Sequence, residues 1–139
     1  MIMNQLGEYQ EPLKSGGKLI ITPANWRIEY YFLGPDLRYN GHSVSIYSDK
    51  VDDYIKAYET NFKKFEELLT TIPKDGSFEM TGECGMSICI RGYRHGVNIS
   101  YGRSTTFPIT NREKLQEVIN DYEYSKKRAA EITKVLYNR

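Results

Sequence analysis

The stretch VDDYIKAYETNFKKFEELLTTIP, residues 51–73, decides the architecture. Val51, Ile55, Tyr58, Phe62, Phe65, Leu69 and Ile72 recur at alternating steps of four and three residues. That spacing predicts one apolar stripe on a helix of about 23 residues. Lys56, Glu59, Lys63, Lys64, Glu66 and Glu67 fall on the opposite side, with Glu59 and Lys63 at the favourable i, i+4 separation. Ser48 or Asp49 is placed to cap the start, and Pro73 ends the helix because its ring cannot continue it. Asp49, Asp52 and Asp53 suit the positive end of the helix dipole better than they suit a metal, for which no second cluster exists. The stripe also resembles a coiled-coil seam, but Tyr58, Phe62 and Phe65 favour packing on a sheet. The helix therefore calls for β structure on either side of it.

Toward the amino terminus, Lys18–Thr22 and Arg27–Leu33 read as strands, rich in β-branched and aromatic residues. Gly34-Pro35-Asp36 is a turn signal. Asn40-Gly41 predicts a two-residue hairpin turn between Leu37–Tyr39 and Ser43–Tyr47. Residues 1–17, with Pro12, Ser15, Gly16 and Gly17, read as a flexible arm, leaving 18–139 as a single domain. Trp26, at a strand entrance, reads as an anchor for the edge of the core.

Toward the carboxyl terminus, Pro73-Lys74-Asp75-Gly76 is a turn, followed by strands at Ser77–Thr81, Met86–Arg91 and Val97–Tyr101. Alternation puts Met86, Ile88 and Ile90 on one face, and Val97, Ile99 and Tyr101 on one face of the next strand. Ser87, Cys89, Arg91, Asn98 and Ser100 point the other way. A short strand at Thr105–Ile109 leads to a second helix, from Asn111 to about Tyr137, whose start Thr110-Asn111-Arg112-Glu113 matches a capping box. Its apolar line is firm at Leu115, Val118, Ile119 and Tyr122, thins at Ser125 and Lys126, and resumes at Ala129, Ile132, Val135 and Leu136. A weak middle fits docking on the chain's own sheet and a homodimer contact about equally. The sum is an α+β fold: a mostly antiparallel sheet of about five to seven strands packed against two long helices.

The candidate functional stretch lies between Glu83 and Glu113, which holds no acid and no lysine but places Arg91, Arg94, Arg103 and Arg112. Guanidinium is planar, always charged and offers a rigid fork of donors that matches phosphate or carboxylate. Tyr93, His95, Asn98 and Tyr101 are interleaved, and Thr110 stands at the helix start where free amides favour an anion. These nine residues form the expected ligand site. The simpler alternative is a solvated strand face, with arginine stems lying over apolar surface. The anion site requires at least three of the four arginines to converge.

Composition narrows the function. The net charge of +1 combines −3 over residues 1–80 with +4 over residues 81–139, too little basic excess for coating nucleic acid but compatible with a local anion site. Only His42 and His95 offer imidazole, and no H-E-x-x-H, G-x-S-x-G or Walker loop is present, so catalysis and cofactors are not expected. Cys84 and Cys89 lack redox or zinc spacing and read as reduced thiols. No secretory leader or bilayer-length apolar run is visible, so a cytoplasmic protein without membrane contact is expected. Three roles remain. The first is capture of an anionic small molecule of nucleotide type. The second is docking on a protein partner as an inhibitor or immunity-type protein through an Arg/Tyr face. The third is binding of RNA or single-stranded nucleic acid. Small size and Lys/Ile/Tyr/Asn-rich composition are compatible with an accessory or anti-defence protein of a phage or mobile element.

Overall fold

The computed structural model describes residues 2–3 and 7–137. In chain order the elements are β1 (Ile2–Met3), β2 (Tyr9–Pro12), β3 (Lys18–Ile21), β4 (Trp26–Leu33), β5 (Tyr39–Tyr47), α1 (Val51–Thr71), β6 (Phe78–Thr81), β7 (Ser87–Ile90), β8 (Gly96–Asn98), β9 (Ser100–Tyr101), β10 (Ser104–Thr105) and α2 (Arg112–Leu136). The fold is α+β and every strand pair is antiparallel, as the pattern predicts. The strands divide between two sheets. Among the described residues no helix is long and apolar enough to cross a membrane.

β4 is the axis of the first sheet. β5 pairs along one edge of it, from Arg27↔Tyr47 to Leu33↔Tyr39. β3 occupies the other edge from Trp26 to Glu29, and β10 rejoins that edge at Leu33↔Thr105. Residues 30–32 are thus left between two partner strands. The second sheet, β6-β7-β8, lies against α1, which also packs on α2, while α2 crosses β3 and β4. Phe62 and Phe65 of α1 are almost fully buried with Met86, Ile88, Ile90 and Val97. Each such side chain contributes roughly 1.5–3 kcal/mol of transfer free energy. The stripe on α1 is buried from Val51 through Phe65, but its last turn buries Leu68 and leaves Leu69 exposed.

Several local expectations are corrected. Residues 9–17 do not form a separate arm. β2 pairs with β3 along its whole length, and Tyr9 and Leu13 enter the core. The Leu13–Gly17 turn closes with Leu13 N–H donating to Gly17 O at 2.8 Å. Ser15 then donates its backbone N–H to Asp121 Oδ2 at 2.8 Å, and its hydroxyl donates to the same oxygen. Asp121 and Ser125 are buried, and Ser125 Oγ donates to Asp121 O at 2.7 Å. The thin middle of α2 is therefore a polar seam that holds this turn. Residues 1 and 4–6 of the expected arm lie outside the described residues.

Asn40-Gly41 is not a hairpin turn. It sits inside β5, where Gly41 takes φ 89° and Asn40 Oδ1 accepts from His42 N–H at 3.1 Å. The reversal occurs instead at Gly34–Arg38, with Leu37 at φ 60° and Arg38 N–H donating to Asp36 Oδ1 at 3.1 Å. The expected Val97–Tyr101 strand is broken at Ile99, because the chain leaves the second sheet at Asn98 and joins the first at Ser100. Ile99 stays in the core, while Tyr101 turns out to 81 % exposure. The strand expected at Thr105–Ile109 is reduced to β10 and a bridge between Ile109 and Val97.

Both helix starts also differ. A single 3-10 turn, Ser48–Lys50, precedes α1, and neither Ser48 nor Asp49 caps by its side chain. Ser48 O accepts from the Val51 amide instead. At α2 the cap is Asn111, whose Oδ1 accepts from Lys114 N–H at 2.8 Å, so Thr110 stays outside the helix. The one-residue shift removes the reciprocal role expected of Glu113, because the third helical position is Lys114.

Candidate functional site

The loop between β7 and β8 is built to project arginines. Arg91 takes φ 67° and Gly92 φ 100°, so the chain swings away from the sheet as soon as β7 ends. A non-glycine residue in that region is costly unless local bonds hold it. Here Arg91 N–H donates to His95 Nδ1 at 2.7 Å and His95 N–H donates to Gly92 O at 3.1 Å. The His95 ring also stands edge-on to Phe65 at 5.2 Å. His95 is a brace for the loop.

Gly96 closes the loop at φ 127°, where a Cβ would lie 2.5 Å from Ile109 O. No other residue fits there without moving the bridge to β8. Asn98, expected on a polar face, is buried: its Nδ2 donates to Arg94 O at 3.1 Å and its Oδ1 accepts from Thr105 Oγ1 at 2.6 Å and from Ser100 Oγ. It ties the arginine loop to β9 and β10, and does not line the arginine groove described next.

Three of the four arginines meet on one shallow groove, together with Tyr93, Cys89 and Glu79. The Arg91 guanidinium donates to Gly76 O, which clamps the Pro73–Gly76 turn. Arg94 lies 13 % exposed, with Nη1 3.3 Å from Glu79 Oε1, Nη2 donating to Gly102 O and the guanidinium 5.2 Å from the Tyr93 ring centre. Its Nε is buried with no partner. Tyr93 Oη donates to Arg103 O at 2.8 Å and so fixes the Arg103 backbone. The Arg103 guanidinium makes no ion pair among the described residues. Burial, then the neighbouring Glu79, pushes the Cys89 thiol above its ordinary pKa, so it stays a protonated part of the groove wall. Cys84 and Cys89 are both free thiols.

Arg112 and Thr110 stand apart from this groove. Arg112 forks onto Glu66 of α1, with Nε–Oε2 2.9 Å and Nη2–Oε1 2.5 Å, and its guanidinium lies 5.7 Å from the Phe62 ring centre. That bidentate pair pins the start of α2 to α1, and Glu66 already occupies the donors expected to meet an anion. Thr110 is exposed on the entry to α2. Among the described residues no three His, Cys, Asp or Glu side chains gather to hold a metal.

Two features escaped sequence reasoning. Glu79 sits on β6, and only the β6–β7 register, Glu79↔Cys89, brings it to the arginines. The other is an exposed aromatic face. Tyr31 and Tyr39 meet edge-on at 4.9 Å, Phe107 shares a cavity wall with both, and Asn40 Nδ2 donates to Ser104 Oγ at 2.5 Å beside Tyr101. The β4–β5 pairing and the arrival of β10 create it. No protein-family model, no curated protein and no solved structure matches the chain.

Proposed function

We propose that the protein is a non-catalytic binding module that holds a phosphate-bearing, nucleotide-type ligand where Arg91, Arg94 and Arg103 meet. The observation that supports this most is the pairing state of that groove. Three arginines line the groove with a single carboxylate, Glu79, which is half-exposed and holds Arg94 through one 3.3 Å contact. Among the described residues Arg103 has no counter-ion. A phosphate displaces Glu79 from Arg94, recruits Arg103, and leaves Arg91 in its structural bond to Gly76 O. Charge-assisted hydrogen bonds contribute about 1.5–3 kcal/mol each. Two or three of them, less the cost of ordering Arg103, fit micromolar to millimolar affinity. Tyr93 and the outward-turned Tyr101 offer ring faces beside the groove for a base.

The test is calorimetric titration with a panel of nucleotides and cyclic nucleotides against the wild-type chain, Arg103→Ala and Arg112→Ala. Saturable binding that Arg103→Ala weakens at least tenfold and Arg112→Ala leaves unchanged supports the proposal. Absence of binding by every phosphate ligand at millimolar concentration sinks it.

A second reading rests on the aromatic face. Tyr101, Phe107, Tyr39 and Tyr31 are exposed, and Tyr is a favoured anchor of protein interfaces. An inhibitor-type contact through this face predicts that a photo-crosslinking residue at Phe107 yields one discrete protein adduct in host lysate, while the same residue at exposed Val135 yields none. Equal labelling at both positions removes that reading.

A further inference from the structure

β5, with the sequence YNGHSVSIY, is the longest strand of the fold, and it carries no lysine, arginine, aspartate, glutamate or proline. β4 pairs along one side of it, and among the described residues no strand pairs along the other. A free edge of that kind presents a row of amides and carbonyls to which a further strand can add. Folded proteins ordinarily blunt such an edge with a charge, a proline, a bulge or shortness. The other edges here are blunted. β6 has four residues and carries Glu79, β1 and β9 have two residues each, and β8 is closed by the bridge from Val97 to Ile109.

β5 itself is blunted only in its first half. Tyr31 pairs with Ser43 and Leu33 with Tyr39, so Asn40, Gly41 and His42 together stand opposite Phe32, a bulge that spoils the edge there. The half that follows is regular, with Ser43, Val44, Ser45, Ile46 and Tyr47 each opposite one residue of β4. Ile46 is buried and Val44 half-buried on the core face, whereas Ser43, Ser45 and Tyr47 alternate onto the outer face, where Ser43 and Tyr47 are exposed. Among the described residues no hydrogen bond reaches the backbone groups of Ser43–Ile46 that point away from β4.

An edge of this kind accepts an extended strand, and its own sequence says which one. A strand that pairs antiparallel with its copy about a two-fold axis sets each residue opposite the symmetry-related position. With the axis at Ser45, Ser45 faces Ser45, Val44 faces Ile46 and Ser43 faces Tyr47. Apolar then meets apolar on the core face, and on the outer face each Tyr47 ring stands opposite a small serine that leaves it room. The five positions hold no charge, so self-pairing opposes no like charges. Only this axis uses all five regular positions, because moving it toward Val44 or Ile46 brings in the bulge at His42 or the 3-10 turn at Ser48. We propose that the second half of β5 is a homodimer surface, through which two copies of the chain join their seven-stranded sheets edge to edge. Five paired residues make a small interface, so a dissociation constant on the order of 10–100 µM is expected. The surface is separate from the arginine groove, and the proposal stands independently of phosphate binding.

The test is sedimentation velocity of the full chain from micromolar to millimolar concentration, which is expected to move from the 16.2 kDa monomer toward twice that mass. Ser45→Lys and Ser45→Glu each set like charges face to face at the axis, and each alone is expected to weaken the dimer about tenfold or more. The nearest carboxylate, Glu29 of β4, is already paired with Lys18 at 3.5 Å. Mixing the two variants sets lysine opposite glutamate and is expected to restore association. Val135→Asp, at an exposed position of α2, is expected to leave the dimer intact. Should a Ser45 variant fail to fold, amide exchange of the wild type decides: raising the concentration is expected to slow exchange within Ser43–Tyr47. The proposal is overturned if the wild type stays monomeric at millimolar concentration, if Ser45→Lys associates as well as the wild type, or if the mixture does not associate. It is equally overturned if Val135→Asp abolishes the dimer, or if a dimer forms without added protection within Ser43–Tyr47.

Discussion

Asp121→Ala is expected to loosen the amino-terminal quarter of the fold from α2. Asp121 Oδ2 accepts both the amide of Ser15, at 2.8 Å, and its hydroxyl, and Ser15 and Asp121 are both buried. Truncation removes two charge-assisted bonds and strands two buried donors. Each stranded donor costs about 1–3 kcal/mol, so a loss of roughly 2–5 kcal/mol follows, reduced if water enters the space of the missing carboxylate. Against a typical domain stability of about 5–15 kcal/mol that is a large share. Urea denaturation gives the loss from the midpoint at constant slope. Amide exchange should show extra opening confined to β2 and the Leu13–Gly17 turn, with α1 and β7 retaining their protection. A loss below about 0.5 kcal/mol, or exchange raised evenly through the chain, refutes the view that this seam carries the docking.

Gly96→Ala is expected to cost more than about 2 kcal/mol, because the new Cβ meets the Ile109 carbonyl and the φ of 127° is closed to side chains, and chemical denaturation reads it. Burial raises the Glu11 pKa, but bonds from Tyr124, Tyr9 and Arg128 outweigh it and hold the folded value below the ordinary 4.5. Its contribution is therefore fully present above the unfolded pKa and is lost as pH falls through the folded one. Melting of the wild type should fall more steeply than that of Glu11→Gln below about pH 4.5, by up to about 1 kcal/mol for a pair still touched by solvent, and equal pH profiles refute the assignment.

The helices were readable because burial of one stripe repeats along tens of residues, so Val51 through Phe65 announces itself without knowledge of any partner. Asn40-Gly41 misleads because its turn preference is local, whereas six paired positions with β4 hold β5 extended through it. The Leu13–Gly17 turn looks loose for the same reason: its anchor, Asp121, lies 106 residues away. The arginines were visible as a cluster, but their pairing was not. Glu66 on α1, Glu79 on β6 and the carbonyls of Gly76 and Gly102 decide which guanidinium groups remain available.

The central claim is that the groove at Arg91, Arg94 and Arg103 holds phosphate. The most direct measurement is the nucleotide titration of the wild type beside Arg103→Ala and Arg112→Ala. Saturable binding lost at least tenfold in Arg103→Ala and kept in Arg112→Ala is the predicted result. No binding, or an equal loss in both variants, contradicts it.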